Sequence, residues 1–124
     1  MKVFSLDEAN ELIPLIRPKL ERLRDFNSKL SEFREEARSA AAASERGGGT
    51  PAGPAYVKML YRIGKLVAEL AELGVQLKDQ TRGLVDFPAL RDGRLVLLCW
   101  QLGEPNEIQW WHETEAGFAG RQRI

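Results

Sequence analysis

The C-terminal stretch IQWWHETEAGFAGRQRI, residues 108–124, holds the only histidine of the chain, His112. An imidazole titrates near neutral pH, so this residue is a candidate general acid or base. Two carboxylates are expected near it in the fold. Asp86 stands two residues ahead of Pro88, and Glu104 sits in the GEPN turn just before the histidine's strand. Arg121 offers a planar, permanently charged anchor for a carboxylate or phosphate. Gly117 and Gly120 give the backbone a tight path, suited to a loop that folds back over a site. Trp111 adds a flat surface on which a ligand can stack. His112, Glu104 and Asp86 are therefore the candidate catalytic groups, and Arg121 and Trp111 the candidate ligand-binding groups. The plainer alternative is a strand-end histidine bonded locally and an arginine in a surface ion pair, worth about 0–1 kcal/mol.

Other chemistries are poorly served. One histidine with carboxylates from Asp86, Glu104, Glu113 or Glu115 is a weak transition-metal set, and the helical HExxH spacing is absent, so no metal and no cofactor are expected. Cys99 lies in RLVLLCWQL among apolar neighbours. It reads as a small buried hydrophobe, because a reactive thiol needs an electropositive, partly open setting. No Ser–His–Asp or Cys–His signature is present. Gly47–Gly49 lack the lysine and Ser/Thr of a phosphate loop.

Two kinds of element must position these groups. FSLDEA starts a helix, with Ser5 and Glu8 forming a capping box. Pro14 and Pro18 then interrupt the ladder, which predicts a short first helix near 6–12 with a break at Pro14. Ile16, Leu20, Leu23, Phe26, Leu30, Phe33, Ala37 and Ala40 form one apolar stripe, a helix over about 15–43. SAAAASERGGGTPAGP is a composition break, read as a flexible loop over 44–54. Tyr56, Leu60, Ile63, Val67 and Leu70, flanked by Met59, Leu66 and Leu73, give a second helix over about 55–73, ended by Gly74. The two form an antiparallel hairpin. The longer helix overhangs, leaving Phe26, Leu30 and Phe33 in need of another partner.

After Gly74 the period changes to two. VQLKD and GLVDF read as short strands, Asp92-Gly93 as a hairpin turn, and RLVLLCWQL as a strand apolar on both faces, hence covered on both. Pro88 confines its segment to an edge or a bulge. In EIQWWHE, alternation puts Ile108, Trp110 and His112 on one face and Trp111 on the other. One sheet face packs on the helices; the tail or a neighbour covers the other. The fold class is α+β: a single domain over 1–124, with a long helical hairpin at 5–73 and a small, mostly antiparallel sheet of three to four strands at 75–124.

The totals agree with a modest single core. The chain has 124 residues, 18 basic and 18 acidic, with formal net charge zero. Nucleic-acid binding is not expected, since phosphate recognition concentrates positive charge. The longest apolar run, Leu95 to Trp100, is far short of the roughly 20 residues a membrane helix needs. No signal peptide is visible. A single cysteine excludes an intrachain disulfide. A cytoplasmic protein is expected.

FSLDEANELIPLIRPKLERL, GLVDFPAL, LCWQLGE and WHETEAGFAGRQ together resemble an uncharacterised bacterial family, the domain of unknown function numbered twenty-two-oh-three. The likeness covers nearly the whole chain apart from the glycine-rich loop. The family's recurring residues match here at Gly83, Asp86, Phe87, Pro88, Gly103, Glu104, Trp111, His112, Gly117, Phe118, Gly120 and Arg121. Arg123 stands where the family commonly has proline. The resemblance implies a stand-alone bacterial protein and brings no activity.

Two functions fit the residues. The first is an oligomerising interaction or structural module, a homodimer or higher assembly held by the amphipathic helices. The second is a binding protein or enzyme for a small anionic ligand, using Asp86, Glu104, His112 and Arg121. No catalytic motif is complete, so the sequence leaves enzymatic activity open. The two differ in whether those four side chains converge in one pocket.

Overall fold

The computed structural model describes residues 1–43 and 53–124. Helix α1 runs Leu6–Ala43 and helix α2 Gly53–Glu72. Five strands follow: β1 Gln76–Asp79, β2 Leu84–Arg91, β3 Arg94–Gln101, β4 Trp110–His112 and β5 Gln122–Arg123. They form one antiparallel sheet in the order β1-β2-β3-β4-β5. The fifth strand, two residues long, is the one beyond the expected count. The class is α+β, as the periods indicate.

The capping box forms. The Ser5 amide donates to Glu8 Oε1 at 2.8 Å, and the Glu8 amide to Ser5 Oγ at 3.1 Å. The expected break at Pro14 does not occur; Pro14 and Pro18 lie inside one helix. Both prolines lie on the exposed side of the helix. Buried residues meanwhile continue past them on the opposite side, at Ala9, Ile13, Ile16, Leu20, Leu23 and Leu30. Packing of that face outweighs the two missing bonds. The slip after Leu23 is a polar step in the same seam: Asn27 occupies it and donates to the Leu23 carbonyl at 2.8 Å and to Gln80 Oε1 at 3.0 Å.

The hairpin is antiparallel. Lys19 Nζ meets Glu69 at 2.8 Å near one end, and the Phe33 and Tyr56 rings sit edge-on at 6.5 Å near the other. Leu30 is buried and Phe26 and Phe33 are partly covered, so these three do not form the uncovered overhang the sequence suggested. On α2 the buried row is Ile63, Leu66 and Leu70, flanked by Tyr56, Met59 and Leu73; Leu60, expected in the main stripe, is exposed. Most of the expected loop, residues 44–52, lies outside the described residues. Gly53 and Pro54 belong to the first turn of α2, where the missing proline amide has no intrahelical partner to lose.

In the sheet, Asp92 and Gly93 both take positive φ (52° and 76°), the geometry of a two-residue hairpin turn. Pro88 is tolerated because β1 pairs only with residues 84–86 of β2; beyond it, the Phe4 amide donates to the Pro88 carbonyl at 2.7 Å. The inner face carries Val85, Phe87, Ala89, Val96, Leu98, Trp100 and Trp111, merged with the helix residues into one core. Ile108 joins that core although alternation assigned it to the other face. It precedes β4, where strand alternation does not apply, and its amide is held by Asn10 Oδ1 at 2.7 Å.

Candidate functional site

The outer face of the sheet is built by register. Asp86 on β2 is opposite Cys99 on β3, and His112 on β4 is opposite Leu97, one pleat along from Cys99. The three side chains therefore point the same way, away from the helices. Their ligating atoms lie within 4.8 Å of one another, the one such group of three among the described residues. Asp86 and His112 are 2% exposed and are the buried polar side chains of the described core.

Both ring nitrogens of His112 are committed. His112 Nδ1 lies 2.7 Å from the Glu113 carbonyl oxygen. A carbonyl only accepts, so Nδ1 carries hydrogen and donates. Nε2 lies 3.0 Å from Asp86 Oδ1. One proton therefore sits between them, on nitrogen or on oxygen, and the pair is neutral either way. Cys99 beside it is no nucleophile: burial first, and the Asp86 charge second, push its thiol up to about 12, against an opposing pull from Arg121.

Arg121 reaches the same face. Its Nη1 donates to Glu104 Oε2 at 2.7 Å and lies 4.0 Å from Cys99 Sγ. The guanidinium is held between Trp110 and Phe118, 4.7 and 4.2 Å from their ring centres. Glu104 is fixed in turn by the Gln101 amide, which donates to its Oε1 at 2.8 Å. The four polar candidates thus form one run, His112–Asp86 and Arg121–Glu104, with Cys99 between the pairs. Trp111 does not join them. It is adjacent to His112 in a strand and so points to the opposite face, into the core, where its Nε1 is buried without a partner.

The tail covers this face. Gly117 takes φ 65° and redirects the chain, and Gly120 packs so closely that an added Cβ would meet the Ala116 Cβ at 2.6 Å. Beneath the tail lies a cavity of about 140 Å³, lined by Lys78, Leu84, Asp86, Leu97, His112, Thr114, Gly117 and Phe118. Arg121 and Glu104 stand outside its lining. A larger groove of about 370 Å³, with Arg22, Arg62, Lys65 and Glu69, runs between the helices. Its basic residues are exposed and Glu69 is engaged by Lys19, so the smaller cavity carries more chemistry.

Cys99 is the member that sequence reasoning set aside. Its apolar neighbours concealed it, because residues alternate faces in a strand. The usable signal was the shared parity of Leu95, Leu97 and Cys99, which put the thiol on the face away from Val96, Leu98 and Trp100.

The model of a family described as an uncharacterized conserved protein (DUF2203) matches residues 2–124. No curated protein and no solved structure matches the chain.

Proposed function

This chain belongs to the DUF2203 family, and from that premise we propose that it binds a small anionic ligand on the outer face of its sheet. One observation carries the reading: the only buried polar pair of the described core, Asp86 with His112, lines the floor of a cavity. Burying such a pair is a weak source of stability. Placed against a cavity, it keeps a transferable proton within reach of a ligand. The pair is neutral, and Lys78 at the rim is the one cationic side chain of the lining, so the cavity favours negative charge. Arg121 acts as a brace, since Glu104 already neutralises it. A volume of about 140 Å³ suits a ligand of a few heavy atoms, such as phosphate or a short carboxylate.

Thermal shift with phosphate and acetate against a matched chloride control tests this. A ligand at 100 times its Kd adds about 2.7 kcal/mol of stability. Lys78→Ala should remove the shift while the ligand-free protein keeps its melting temperature. Equal curves with and without anion reject the reading.

Self-association is a second reading, supported by the outer side of α2. Val57, Leu60 and Tyr61 are 64%, 43% and 70% exposed on consecutive turns, beside exposed Gly64. Sedimentation of the wild type and of Tyr61→Glu decides it. A monomer in both at tens of micromolar eliminates the homo-oligomer.

A further inference from the structure

We propose that Asp86, Cys99 and His112 form a binding site for a divalent transition metal of the zinc or cobalt type. The inference deepens the reading of the same site, and rests on it only in giving the fourth coordination position to a ligand in the cavity.

The donor set supports it first. A soft thiolate and a borderline imidazole, joined by one carboxylate from the third of three adjacent strands, suit Zn²⁺ or Co²⁺ over Mg²⁺ or Ca²⁺. With metal–ligand bonds of roughly 2.0–2.3 Å, tetrahedral ligands stand roughly 3.3–3.8 Å apart. The three ligand atoms already lie within 4.8 Å of one another, so rotamer adjustments of about an ångström complete the cage.

The surroundings support it independently. A metal-binding imidazole commonly donates its other ring N–H to a backbone carbonyl, which fixes the tautomer and aims the free nitrogen at the ion. His112 Nδ1 does this to the Glu113 carbonyl at 2.7 Å, leaving Nε2 directed at Asp86. Arg121 Nη1, 4.0 Å from Cys99 Sγ, is placed as a donor to a sulfur that gains negative charge.

Charge balance supports it third. A carboxylate, a thiolate, a neutral imidazole and a divalent ion sum to zero, so the bound site buries no uncompensated charge. The protons that the ligands release on binding pass to solvent. Three protein ligands leave one position open, as in a catalytic rather than a structural zinc site.

Cobalt(II) is the probe. Chelator-stripped wild type should take up one equivalent of Co²⁺ and develop a sulfur-to-cobalt charge-transfer band. Cys99 is the only cysteine, so that band identifies it without any variant. Cys99→Ala should lose the band, and Arg121→Ala, which among the three ligands touches only the Cys99 sulfur, should weaken uptake about 10–100-fold. A folded wild type that binds no stoichiometric Co²⁺, or binds it without the band, overturns the proposal. Phosphate-induced thermal shift of the stripped protein separates the two readings. A shift without cobalt uptake removes the metal and keeps the anion site; uptake without a shift keeps the metal and removes the anion.

Discussion

The two faces of one sheet are made by the same strands and obey different rules. Inward, Val85, Phe87, Val96, Leu98 and Trp100 join the helix residues in one apolar core. Outward, the alternate residues Asp86, Cys99 and His112 are just as buried but place polar atoms there, and hydrogen bonds engage the pair. The inner face tolerates a polar orphan at its margin, Trp111 Nε1. Every side-chain bond on the outer face has a specific partner, so it is sensitive to chemical identity where the inner face is sensitive to volume.

Removing volume from the inner face should have the largest effect. Phe87 is fully buried, with its ring edge-on to Phe4 at 5.4 Å. Phe87→Ala should cost about 3–5 kcal/mol in urea unfolding; a loss below 1 kcal/mol would mean the inner face is loosely packed.

On the outer face, partnership should matter more than volume. His112→Ala strands a buried Asp86 carboxyl and should cost about 3 kcal/mol, whereas Asp86→Leu with His112→Leu should recover most of that loss. If the double variant is as unstable as the two single losses added, the faces follow the same rule.

Gly120→Ala tests the cover. Its methyl collides with Ala116, so the tail must shift, at about 1–3 kcal/mol. Hydrogen exchange should rise in residues 114–121 and leave the helix-facing strands protected. Uniform loosening would show that the tail is integral to the core.

The smallest effect is at the start of α1, which carries the inner face. The backbone amide of Ser5, then its hydroxyl, hold the Glu8 carboxyl below its ordinary 4.5. A lowered folded value stabilises above the ordinary one and is lost as pH falls through the folded value. Glu8→Ala should therefore cost more at pH 7 than at pH 3, by a small margin because the group is exposed. An equal cost at both pH values would remove the capping carboxylate from the account.

Much of the fold was legible in local pattern. The capping box, the two striped helices, the Asp92-Gly93 turn and the doubly covered β3 strand all depend on neighbours within a few residues, and such spacing is written in the chain. The opposition of His112 and Trp111 was legible for the same reason, as adjacent strand residues face apart. The helix across Pro14 was not, because packing of Ile13, Ile16 and Leu20 against distant strands outweighs a local penalty. Cys99 was hidden likewise: only the β2–β3 register sets it opposite Asp86, and only the β3–β4 register brings His112 alongside. The return of the tail, which lays Arg121 beside Cys99 and closes the cavity over Asp86, joins residues far apart in the chain. The sequence alone determined which side chains alternate. Tertiary structure decided which of them meet, because register and tail closure are settled by the free energy of the whole packed assembly rather than by any local stretch.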